Sequence, residues 1–164
     1  MAGQPSAPSW GEGAAAARLA ELGLARPAVA APVGSYVPAV RDGDLVLTSG
    51  QLPFVDGALP LTGKVGAQVT LEQAQDLART AAVNAVAAVH ELVGDLDAVV
   101  QVVKVVGFVA SDPGFTAQPA VVNGASDVLA EIFGDAGRHA RSAVGVAVLP
   151  LDAPVEVEIT VRVR

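Results

Sequence analysis

Residues 155–163 read Val-Glu-Val-Glu-Ile-Thr-Val-Arg-Val, with a β-branched apolar residue at every odd position and a polar or charged one at every even position. Successive side chains of a strand point to opposite faces, so the pattern predicts a strand with one buried and one polar face. Working backwards, Pro150-Leu151-Asp152 interrupts the chain, and 142–149 reads as another strand. The run 99–109 is apolar in both alternating sets, Val99, Val103, Val105 and Val109 in one and Val100, Val102, Val106 and Phe108 in the other. That composition predicts a strand covered on both faces.

Helical spacing fills the gaps between these strands. Thr70 is placed to cap a long helix with Glu72 and Gln73 in its first turn, and Ala74, Ala78, Ala81, Ala85, Ala88 and Leu92 recur every three or four residues before Gly94 ends it. Asp112-Pro113-Gly114 turns the chain into a second helix over 118–133, closed by Gly134. Nearer the N-terminus, 36–40 and 45–50 flank Arg41-Asp42-Gly43-Asp44, a hairpin signal, and a second Asp-Gly at Asp56-Gly57 makes the next loop irregular. Residues 1–12 read as a loose tail. Ala15, Leu19 and Leu22 mark a short helix that Gly23 can close, and Pro27 and Pro32 keep the following segment extended.

The order is hairpin, helix, strand, helix, strand, strand. Two helices on one face of a mixed sheet, an α+β arrangement in two layers, bury these patterns most simply. The tail and short helix occupy 1–30 and the main domain 31–164. No helix remains for the opposite sheet face, which predicts an oligomer that closes its sheets against one another.

At 164 residues, the chain fits one domain. Its formal charge of −7 leaves no basic belt for a nucleic-acid backbone. The absence of cysteine removes disulfides, thiolate nucleophiles and cysteine-based metal sites, and two histidines without carboxylates at ligand spacing point to no metal or cofactor. The apolar run 98–110 is too short to span a bilayer, and the N-terminus has no secretory pattern, so a cytoplasmic protein without membrane partners is expected.

Arg141 shares a strand face with Ala143, Gly145, Ala147 and Leu149, whose small side chains can leave a recess where guanidinium meets a carboxylate. A structural salt bridge or a snorkelling edge arginine is the competing reading. Glu156 lies on the polar face of the last strand, which can pair with the strand carrying Arg141. A carboxylate there could position water, and Glu158 two residues on is equivalent by sequence. Asn123 falls within the second helix, where an amide needs a partner. Ser49-Gly50-Gln51 ends a strand with a turn whose N–H groups can face a ligand. His139 reads equally as an acid–base group or a surface hydrogen-bonding residue. The Gly63-Lys64-Val65-Gly66 loop lacks the length and final hydroxyl of a P-loop.

The segments GSYVPAV, LVLTSGQLP, the Asn123 helix, ARSAVGVAVLP and VEVEITV together resemble, in order, the signatures of the YjgF/YER057c/UK114 family, the Rid or reactive-intermediate deaminase proteins. The match runs from about residue 31 to the C-terminus, with the N-terminal helix, GRHARSAVG and NGAS pointing to a divergent branch. The resemblance implies a chorismate mutase-like fold, a homotrimer with clefts between subunits, and hydrolysis of small 2-imino or enamino acids to 2-keto acids and ammonia. It implies that Arg141 holds the substrate carboxylate and Glu156 positions the water. Tyr36 would line the cleft from its strand, Ser49 and Gly50 would supply the turn, and Asn123 the helix amide. Ala143 stands where deaminating members commonly carry cysteine, so only its backbone is available. The alternative is a non-catalytic module that binds small carboxylate metabolites.

Overall fold

In chain order the elements are α1 (Ala14–Glu21), β1 (Ala39–Asp42), β2 (Leu45–Thr48), α2 (Leu71–Val93), β3 (Val99–Ala110), α3 (Gln118–Phe133), β4 (Ala140–Val146) and β5 (Val155–Val163). They are seen in a computed structural model that describes residues 8–32 and 34–164. The strands form one mixed sheet in the order β1-β2-β5-β3-β4, in which only β3 and β4 run parallel. Both long helices cover one face of this sheet, giving the expected two-layer α+β fold.

The termini of α2 follow from its sequence. Thr70 accepts a hydrogen bond from the Gln73 N–H while the Gln73 side chain accepts from the Thr70 N–H, a capping box, and Gly94 ends the helix in the left-handed conformation at φ 78°. α3 lies against α2 and β3 at close range. A Cβ on Gly124 would stand 2.0 Å from the Gln75 carbonyl oxygen, and one on Gly107 would stand 2.4 Å from Cγ2 of Val122. Glycine at these two positions lets backbones approach where a methyl group would not fit.

Alternation along β5 is borne out, with the odd positions buried from Val155 to Val163. In β3 the expected faces are partly exchanged. Register shifts between Val99 and Gln101 and between Val102 and Lys104 place Val99, Val102, Val105, Gly107 and Val109 together under the helices. Each bulge inserts one residue and flips the parity of the strand beyond it, so Val102 belongs to the helix face and Val103 does not. Among the described residues no helix covers the opposite face, where only one end is sheltered, by the small cluster of Ala110, Leu149 and Ala153 packed with Phe108. Its row Val40–Leu47–Thr160 continues through Lys104, and Val106, Phe108 and Val144 lie on the same side, with Val40, Leu47 and Val144 exposed.

Two N-terminal expectations need correction or completion. The tail reading for 1–12 does not hold at Trp10, which is buried, donates its indole N–H to the Leu24 carbonyl and meets the His90 ring edge-on; residues 1–7 of that tail lie outside the described residues. An indole buries large apolar area once its N–H is satisfied, and this outweighs the polar residues around it. α1 forms as expected and packs against α3, its first two N–H groups being accepted by the Asp97 carboxylate at 2.8 and 2.9 Å. Gly13, at φ 120°, makes room for that carboxylate.

Candidate functional site

Arg141 projects from β4 toward α3. Its Nη1 donates to Asn123 Oδ1 at 2.9 Å and to Ser126 Oγ at 3.1 Å, and its Nη2 donates to the Pro119 carbonyl at 3.2 Å. Asn123 and Ser126 are three residues apart on α3 and so share a stripe of the helix. A guanidinium has five N–H donors. Nη1 is fully used, which leaves Nε–H and one N–H of Nη2, enough for one two-pronged carboxylate contact. Among the described residues the ion pairs do not include Arg141, so the structural salt bridge offered by the sequence is absent and neutral acceptors alone hold the cation.

Glu156 occupies a different place from the one expected. β5 pairs with β2 and β3, and β3 separates it from β4, so the strands of Glu156 and Arg141 are not neighbours. The register aligns Arg141, Val105 and Ile159 in one row and Val144, Phe108 and Glu156 in another. Val105 and Ile159 are buried under the helices, whereas Glu156 belongs to the uncovered face. The intervening strand arises because the chain between β3 and β4 crosses over the sheet as α3, returning parallel on the far side of β3. Ala143 lies in the row Ala143–Gly107–Val157, on the same side as Arg141, and packs against the main core.

What Glu156 does meet is the Ser49-Gly50-Gln51 turn. Gln51 bridges Val157 through both backbone bonds, at 2.8 and 3.0 Å, so the turn runs beside the start of β5. A Cβ on Gly50 would stand 1.8 Å from Oε1 of Glu156; the glycine clears the space the carboxylate fills. This distinguishes Glu156 from Glu158, whose row is Ser142–Val106–Glu158. Partial burial, and then the neighbouring Glu158, raise the Glu156 carboxyl above the ordinary glutamate value. The turn is tied to the Tyr36 segment by Ser49, whose N–H donates to Pro38 and whose hydroxyl donates to Val37, at 2.8 and 2.6 Å. Tyr36 itself sits half-exposed in a bend ahead of β1 rather than on a strand, because Pro38 precedes the paired residues.

The expected residues thus form two clusters. Arg141, Asn123 and Ala143 lie at the β4–α3 edge; Gly50, Ser49 and Glu156 lie at the β2–β5 end. Sequence reading missed Ser126, although its spacing from Asn123 was the available signal. Clefts of about 360 and 740 Å³, walled by residues such as Trp10, Arg26, Phe54 and Arg79, contain none of these side chains. Depth alone is a poor guide here, since both clusters are surfaces of the single chain.

Comparison with known proteins matches residues 16–161 to the family model "YjgF/chorismate_mutase-like, putative endoribonuclease". Protein TCP17 of Trypanosoma cruzi is 47% identical over 93% of this chain and 96% of its own length. The 2-iminobutanoate/2-iminopropanoate deaminase of Escherichia coli K12 is 36% identical over 80% of this chain and 91% of its own. The crystal structure of Atu1372, a protein of unknown function from Agrobacterium tumefaciens, superposes with a TM-score of 0.84 at 46% identity, covering 90% of this chain and 91% of that one. The strand order, the helix pair and these matches agree, and the chain belongs to the YjgF/Rid family of chorismate mutase-like proteins.

Proposed function

We propose that this protein hydrolyses small 2-imino or enamino acids to 2-keto acids and ammonia, in clefts between the subunits of a homotrimer. The observation that carries this reading is a cation that, among the described residues, is held only by neutral acceptors with two donors unused, in a chain of net charge −7. Such a group can meet a small carboxylate through a two-pronged contact. The imine carbon would lie beside it, and water would add there while a carboxylate accepts its proton and passes it to the nitrogen; the carbinolamine then transfers its hydroxyl proton to the amine, expelling ammonia and leaving the ketone. Glu156 suits that proton transfer because its raised pKa moves it toward working pH. Tyr36, Ser49 and Gly50 line the same side of the cleft, and Asn123 holds Arg141 in place.

Within one chain Arg141 and Glu156 face different sides of the sheet, which supports a cleft built from two copies. The exposed apolar residues Val40, Leu47 and Val144 on the uncovered face support the same assembly. Imine hydrolysis is intrinsically easy, so positioning an anion and a water supplies most of the acceleration needed, without the thiol that Ala143 lacks. The Escherichia coli relative named for this reaction supports it further.

The test generates imine in situ with an amino-acid oxidase or a PLP-dependent dehydratase and times keto-acid release. Wild type is expected to accelerate release and Arg141→Ala to abolish the acceleration; equal rates for both would refute the reading. A binding-only module is favoured by one observation, the core-packed Ala143 that brings no reacting group to the cleft. Calorimetric affinity for 2-keto acids without turnover would select it.

A further inference from the structure

The hydrogen bonds behind Arg141 continue beyond Ser126. His139, immediately before β4, places Nε2 2.8 Å from Ser126 Oγ and Nδ1 2.6 Å from the Gly137 carbonyl oxygen. For a neutral imidazole the direction of each bond follows. A carbonyl only accepts, so Nδ1 carries the proton; a guanidinium only donates, so Ser126 Oγ accepts from Arg141. The single hydroxyl hydrogen of Ser126 is then left for Nε2, which is the acceptor nitrogen of the Nδ1–H tautomer. Donation runs one way along the chain, from Arg141 to Ser126 to His139 to Gly137, and each bond polarises the next.

We infer that Ser126 and His139 are positioning residues for Arg141, fixing the guanidinium plane so that its two unused donors face the carboxylate of an anionic ligand. Packing does not explain the pair. Ser126 and His139 are both partly exposed, neither belongs to the hydrophobic core, and no carboxylate pairs with the histidine among the described residues. Without Ser126 one Nη1–H is released. The guanidinium is then held by Asn123 and the Pro119 carbonyl alone, its plane is less firmly fixed, and a bound carboxylate loses its single orientation. The inference deepens the proposed function and rests on it.

The experiment measures 2-oxobutanoate binding by calorimetry and tautomer state by ¹⁵N NMR of histidine-labelled protein. Wild type is expected to show His139 as the Nδ1–H tautomer, with the Nε2 resonance moving when 2-oxobutanoate is added. Ser126→Ala and His139→Phe are expected to weaken binding about ten-fold, the effect of one hydrogen bond to a charged group. Ser126→Thr and His139→Gln, which retain an oxygen at the needed positions, are expected to restore most of it. With the neutral amide of the same keto acid, all variants should bind alike. Wild-type affinity in both Ser126→Ala and His139→Phe, or an Nε2–H tautomer, overturns the inference and leaves the carboxylate role of Arg141 intact. Absence of 2-oxobutanoate binding by wild type, or unchanged binding by Arg141→Ala, overturns the proposed function and this inference with it.

Discussion

Arg141 and Glu156 project from opposite faces of one sheet, with β3 between their strands. Neither strand pairing nor register brings the two groups together within a protomer. If each cleft joins Arg141 of one copy to Glu156 of the next, Arg141→Ala and Glu156→Gln chains are inactive alone but complementary. A mixed trimer of either composition contains one intact cleft of three, so random assembly from equal amounts is expected to recover about a quarter of wild-type activity. Co-expression followed by the coupled deaminase assay checks this; activity no higher than in the separate variants would place both groups in one protomer's cleft.

Glu156 carries a stability cost with a defined sign. Its folded pKa is raised by burial and then by Glu158, so the folded state favours the protonated form. The associated stabilisation is fully present below the ordinary glutamate value and is lost as pH rises through the folded pKa. Glu156→Gln should therefore melt higher than wild type at neutral pH, with the gap closing as pH falls toward about 4, while deamination drops. Thermal melts across that range measure it, and a gap that widens in acid would contradict the assignment.

Two glycine-to-alanine changes separate site from scaffold. In Gly50→Ala the new Cβ meets only the end of a flexible side chain, the Glu156 carboxylate, which can rotate away. Activity should fall at least about ten-fold with little change in melting temperature. In Gly124→Ala the Cβ meets the Gln75 backbone oxygen, which cannot rotate away, and overpacking of about 3 kcal/mol is expected. Parallel melts and rates on the two variants distinguish the cases.

The N-terminal arm should loosen in acid. Burial, and then Arg26, lower the pKa of His90. Backbone bonds from Ala15 and Ala14 lower that of Asp97. Both groups give stability that is present above their ordinary values and lost as pH falls through the folded ones, His90 first. Trp10, the one tryptophan of the sequence, lies against His90, so its emission should shift to the red as pH falls below the ordinary histidine range. Asp97→Ala should cost about 1 kcal/mol, the usual value of a helix N-cap, and lower the melting temperature by ~3 °C.

Much of the fold was legible because its signals are local. Thr70, Gly94 and Gly134 mark helix ends through their own backbone chemistry, and β5 alternates without a defect. β3 was harder, since a run of valines carries no polar marker to reveal where a bulge exchanges Val102 and Val103. The residues of the site could be named from their motifs, but their division between two faces depends on which strands are neighbours, a long-range property set by the α3 crossover. Ser126 stayed hidden, and His139 was named without its partner, for a related reason: only the folded chain brings the two together behind Arg141.

The close approach of Gly107 and Val122 bears on how Arg141 is held. Val122 directly precedes Asn123, so the depth to which α3 sinks over β3 sets the height of that amide above Arg141. A hydrogen in place of a methyl on the third strand is a spacer of zero thickness. Thickening it by one carbon would lift the helix and stretch the 2.9 Å bond that aims the guanidinium, detuning a binding group through an atom several residues away from it.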